Sequence, residues 1–88
     1  MAAKTPDKII RESIGSLTLL ICQFSTTNID DNDTYATGLG TNLIDCWFNT
    51  TLTDTAAKDV HPSISSGTVT FSTGEENING TLYVLAKT

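Results

Sequence analysis

An all-β fold, a small antiparallel β-sandwich or barrel, is predicted by three features of this 88-residue chain. Threonine is heavily used and is joined by many Ser and Asn, residues that suit exposed strand faces and turns better than helices. Short segments alternate apolar and polar residues with a period of two, the spacing of a strand with one buried face. Clusters of Gly, Asn, Asp and Ser stand between these segments and read as turns. The length fits a single β domain over residues 8–88. A chain this short buries a smaller share of its surface than a long one, and draws extra support from disulfides, a metal or association.

The elements follow in order. Residues 1–7, "MAAKTPD", have little to bury and are expected to form a flexible arm; Thr5-Pro6-Asp7 as the start of a helical turn is the alternative. "KIIRESIG" alternates weakly up to Gly15, where a bend or bulge is expected before a long strand from Ser16 to Phe24. "STTNIDDNDTYATGLGTN" reads as a long connection with one helical turn around Thr34 to Thr37. A second strand runs from Leu43 to Thr50. "TLTDTAAKDVHPSISS" then reads as irregular, with Pro62 pushing His61 toward extended geometry. In "GTVTFST", Val69 and Phe71 turn inward while Thr68, Thr70 and Ser72 face water. "GEENING", with its Asn79-Gly80 pair, has a hairpin signature before the last strand, "TLYVLAK".

Three of these strands are apolar on both sides. "SLTLLICQF" sets Leu17, Leu19 and Ile21 against Leu20, Cys22 and Phe24. "LIDCWF" sets Ile44, Cys46 and Phe48 against Leu43 and Trp47, and "TLYVLA" sets Leu82, Val84 and Ala86 against Tyr83 and Leu85. A two-layer antiparallel sandwich needs only one apolar face per sheet. Either a bulge between Leu19 and Leu20 shifts the phase, or other subunits cover the second faces. On the second reading Leu20, Trp47, Tyr83 and Leu85 are the expected oligomer or partner interface, and burying a Trp or Leu there is worth about 1.5–3 kcal/mol each.

Ten acidic against five basic residues give a net charge of −5, which opposes binding to nucleic acid or to an anionic membrane. No apolar run reaches the length of a membrane span. No apolar core follows Met1, so the chain is expected to be made in a reducing cytoplasm, with Cys22 and Cys46 as buried thiols and a disulfide between them as the alternative.

No catalytic constellation emerges, and no cofactor is expected. Asp30, Asp31 and Asp33, with Asn28 and Asn32, offer oxygen ligands of the kind Ca²⁺ takes, but without the glycine and glutamate of the helix-loop-helix pattern; turn chemistry accounts for them equally. His61 is the only histidine, so the usual zinc sites cannot be built. A catalytic role for it needs a nucleophile and an acid, for which only Ser63 and Asp59 lie near in sequence. Glu75 and Glu76 are adjacent, and fit a solvated hairpin tip better than an acid/base pair. The N-x-Thr triplets at Asn32, Asn49 and Asn79 are expected by accident in so Thr-rich a chain.

Through "IGSLTLLICQF", "IDDNDTYATGL" and "GTVTFSTGEENINGTLYVLAK", the chain resembles short β-rich proteins encoded among the virion genes of tailed bacteriophages. The resemblance implies a non-enzymatic particle component, a capsid decoration or cement protein located in the virion, with no catalytic residue to carry over. It also implies partners: copies of itself, a trimer before other numbers, and the major capsid protein or another virion protein, with residues 1–12 reaching to a neighbour. Two other readings stand beside it. One is a tail or fibre accessory binding a cell-surface glycan through Trp47, Tyr35 and Tyr83 beside "NIDDND". The other is a small enzyme or inhibitor using His61.

Overall fold

A computed structural model describes residues 2–50, 60–73 and 78–87. Among these residues the chain forms seven strands: β1 (Lys8–Ile14), β2 (Leu17–Ile29), β3 (Thr34–Ala36), β4 (Leu43–Thr50), β5 (His61–Ser65), β6 (Thr68–Ser72) and β7 (Ile78–Lys87). Strands β1-β2-β7-β4 form a four-stranded sheet and β3-β6-β5 a three-stranded one, and every strand pair is antiparallel. The two sheets pack face to face as a small β-sandwich.

The core follows strand parity. Leu20, Cys22 and Phe24 of β2, with Leu82 and Val84 of β7, pack with Tyr35, Val69 and Phe71 of the smaller sheet, all of them buried. Phe24 lies at the centre: its ring meets Tyr35 at 6.3 Å and Phe71 at 5.7 Å, both edge-on, and Phe48 at 6.4 Å. Edge-on contact sets the positive rim of one ring against the negative face of the next. Burial pushes the Cys22 thiol and the Tyr35 hydroxyl above their ordinary pKa values. On its other side the three-stranded sheet carries Thr34, Thr68, Thr70, Ser63 and Ser65, so this sheet obeys the one-apolar-face rule.

Several connections differ from the sequence expectations. The expected bend at Gly15 is a two-residue hairpin turn, Gly15-Ser16, closed by Ile14 opposite Leu17, with Gly15 at φ 61°. No bulge separates Leu19 from Leu20, because the register with β7 runs unbroken from Leu17 to Phe24. Thr34 to Ala36, expected as a helical turn, is strand β3. The passage read as irregular contains β5, whose Pro62 is tolerated on an edge strand, where a missing N–H interrupts no inner ladder. Ser66-Gly67 joins β5 to β6 with both residues at positive φ, 49° and 81°, the requirement of a tight primed hairpin turn. The rest of the irregular passage, 51–59, and the expected hairpin tip with Glu75 and Glu76 lie outside the described residues.

Asn79-Gly80 is no hairpin turn. Both residues sit inside β7, and β6 and β7 belong to different sheets. Gly80 is buried opposite Thr50 of β4, where a Cβ would collide with the Asn49 carbonyl oxygen and the Phe48 ring. Glycine is kept here for room. Gly80→Ala is expected to lose about 1–3 kcal/mol by overpacking, against the gain a methyl usually brings to a strand interior; urea denaturation followed by tryptophan fluorescence measures it.

A register shift between Phe24 and Ile29 bulges β2 away from β7 before the two strands pair again at Ile29 and Ile78. Two side chains clamp it. The Asp7 carboxylate accepts the backbone N–H groups of Ser25, Thr26 and Thr27 at 2.7, 2.8 and 3.0 Å, and the Thr26 and Thr27 hydroxyls at 2.8 Å. From the facing strand, Asn79 Nδ2 donates to the carbonyls of Phe24 and Ser25 at 3.2 and 3.1 Å, and to Asn28 Oδ1 at 2.9 Å. The segment expected as an arm is thus tied down over residues 2–7: Lys4 N donates to Thr34 O at 2.7 Å, Thr34 N to Ala2 O at 2.9 Å and Asp7 N to Gln23 O at 2.8 Å.

The hydrogen bonds from Thr27 and Thr26 hold the Asp7 carboxyl well below the ordinary carboxylate range. A depressed pKa gives stability that is present above the unfolded value of about 3.9 and is lost as pH falls from there toward the folded value. Thermal melts between about pH 5 and pH 2 are therefore expected to show a shallower acid decline for Asp7→Asn than for the wild type. Parallel curves would mean the clamp carries no linkage.

Candidate interaction surface

Residues of the four-stranded sheet that alternate with the core set point away from the smaller sheet. The registers align them in rows across the strands. One row is Ile10, Ile21, Tyr83 and Trp47; the next is Glu12, Leu19, Leu85 and Asp45; the third is Ile14, Leu17 and Lys87. The rings of Trp47 and Tyr83 stack at 5.4 Å and 11°. Trp47 remains 42 % exposed and Ile14 54 %, while the other apolar members are half-buried by their neighbours in the rows. A large sheet with apolar residues on both sides therefore stands beside a small one with a Ser/Thr outer side. Within one molecule the second sheet shows what a solvated face of this chain looks like.

Of the residues expected at an interface, Trp47, Tyr83 and Leu85 are brought together on this face. Leu20 is not: it is 3 % exposed and belongs to the core, because β2 keeps strict alternation and the outward residues are Leu17, Leu19 and Ile21. A bulge between Leu43 and Asp45 also exchanges two assignments. Leu43 packs against the core, and Ile44, expected beside Cys46 and Phe48, is 46 % exposed. One inserted residue reverses the parity of everything before it.

The face is electrically balanced. Lys8, by parity on the same side as Ile10, and Lys87 oppose Glu12 and Asp45, on a chain whose net charge is −5. The surplus acid lies elsewhere, much of it in the turn between β2 and β3.

That turn uses its carboxylates in backbone hydrogen bonds. Asp33, buried at 2 %, accepts Asp30 N at 2.7 Å and Ala2 N at 3.0 Å, with Lys4 Nζ 3.6 Å away. Asp31 accepts Thr73 N at 2.9 Å and Asn32 Nδ2 at 3.3 Å. Among the described residues, no three His, Cys, Asp or Glu side chains gather where a metal ion would sit, so Asp30, Asp31 and Asp33 do not form the ligand set their spacing offered. His61 is exposed at the start of β5, and among the described residues no side chain hydrogen-bonds it. Tyr35 is buried in the core, so it shares no groove with Trp47 and Tyr83. Cys22 and Cys46 are free thiols on strands that flank β7 rather than adjoin each other. Burial, then the neighbouring Asp45 charge, pushes the Cys46 thiol up to about 11.

No protein-family model, no curated protein and no solved structure matches the chain.

Proposed function

We propose that this chain is a non-enzymatic structural protein of a tailed-phage particle, a head decoration or cement protein that self-associates and holds neighbouring capsid subunits together. The observation that carries the reading is the outer face of the four-stranded sheet, with its Trp47–Tyr83 stack and half-buried Leu19, Ile21 and Leu85. Contiguous apolar area of this kind on a small domain marks a contact surface. Its balanced charge suits contact with other copies of an acidic chain, which would otherwise repel. Bound to the shell, such a protein stabilises the assembled state by mass action.

A glycan-binding accessory of the tail is the second reading, favoured by the exposure of a stacked Trp47. Trp47→Ala separates the two. On the particle reading, light scattering over a concentration series shows the assembled mass falling toward that of one chain; removing a central interface Trp typically costs 2 kcal/mol or more, roughly a thirtyfold weakening. Unchanged mass together with lost binding on a glycan array would favour recognition of sugars instead. Antibody labelling of particles in electron micrographs then distinguishes head from tail.

A further inference from the structure

We propose that the free edge of β1 is a second association site, where a second copy of this chain adds its own β1 antiparallel about a two-fold axis. β1 closes one edge of the large sheet, and among the described residues only β2 pairs with it. The strand overhangs the smaller sheet: Ile9, on the core-side parity, is 48 % exposed, and Ile14, on the other side, 54 %. Exposed edges are ordinarily blunted by Pro, bulges or charges. β1 has no Pro, and its register with β2 is unbroken from Lys8 to Ile14, so charge is the one device left to decide whether the edge repels or accepts a strand.

The charges select a register. A two-fold axis perpendicular to the sheet keeps the two faces apart, so even-numbered residues meet even-numbered ones. Pairings that engage at least five residues of each strand are centred on Ile10, Arg11 or Glu12. Centring on Arg11 sets arginine opposite arginine, and centring on Glu12 sets glutamate opposite glutamate, both unfavourable for directly opposed residues. Centring on Ile10 places Lys8 opposite Glu12 of the second copy twice over, Ile9 opposite Arg11, and Ile10 opposite Ile10. The same register joins the row Ile10, Ile21, Tyr83 and Trp47 end to end with its counterpart, so the apolar band continues across the junction. Charge pairing and apolar continuity thus fall on one alignment, the self-complementarity an isologous contact requires. Lys8, Ile10 and Glu12 also lie on the outer face, but pairing here runs edge to edge in the plane of the sheet, whereas the outer face packs flat against a partner.

The test is a charge swap read by light scattering over a concentration series. Lys8→Glu and Glu12→Lys are each expected to lower the associated mass, to half where the edge is the only contact, and the double variant Lys8→Glu/Glu12→Lys to restore it. Circular dichroism checks that each variant is folded. A wild type that stays monomeric throughout, single variants with unchanged mass, or a double variant that fails to recover overturns the proposal. Mild oxidation gives an independent readout: Ile10→Cys is expected to yield a disulfide-linked dimer, since directly opposed residues of antiparallel strands have Cα atoms about 4.5–5.5 Å apart, within disulfide reach. Glu12→Cys is expected to stay uncross-linked, and equal cross-linking at both positions overturns the register. Trp47→Ala leaves the Ile10→Cys cross-link intact if the edge and the outer face are distinct sites, so failure of one leaves the other standing.

Discussion

Replacing Phe24 with alanine is expected to cost about 3–5 kcal/mol. A domain of this length holds in all roughly 4–13 kcal/mol, at about 0.05–0.15 kcal/mol per residue, so the variant is expected to lose a large share of its stability. Phe24 is fully buried and touches rings from β3, β4 and β6, which ties both sheets to one side chain. The cavity opens where relaxation is hardest, because the next residues, 25–28, are clamped by Asp7 and Asn79. Urea unfolding measures the loss. Phe24→Leu retains most of the transferred area and is expected to lose less than half as much. A cost below 1 kcal/mol for the alanine variant would show that the aromatic cluster is not the centre of stability.

Asp33→Ala is expected to be the second most damaging change. Two backbone donors, Asp30 N and Ala2 N, lose their acceptor, and Lys4 loses its counter-charge. An unpaired buried donor costs about 1–3 kcal/mol, so the loss is roughly 2–4 kcal/mol after partial hydration at the Ala2 end. Hydrogen exchange localises it: amides of residues 2–4 and of the turn before β3 should lose protection first, while those of β2 and β7 keep theirs. Asp33→Asn retains an acceptor oxygen and is expected to fall between the wild type and alanine. Uniform loss of protection across both sheets would mean that the turn is not a separate unit.

The strands that were legible in the sequence are those whose alternation is set by burial. β6 shows it plainly, with Val69 and Phe71 inside and Thr68 and Thr70 outside, and β2 shows its two apolar faces residue by residue. Alternation leaves the choice of face open, so Leu20 and Leu19 were interchangeable until the smaller sheet settled which side is covered. β3 and β5 were hidden by short length and by Pro62, since local preference in a few residues is weaker than the pairing that β6 offers on both sides. The bulge at Ile44 has no composition signal at all. Asn79-Gly80 misleads because it carries the residues of a turn; the glycine is there for the Phe48 ring, and the asparagine for carbonyls on β2. Asp7 has no local signature for a related reason: its partners lie 18 to 20 residues away in the chain, beyond any local pattern.

The unequal outer sides of the two sheets give this molecule an orientation, like a tile glazed on one side. Pressed against anything oily, whether a protein lattice, a plastic wall or the air–water boundary, it should land on the four-stranded sheet and turn its hydroxyl-bearing side to the solution. A surface coated this way acquires the wettability of Ser and Thr, whatever lay beneath.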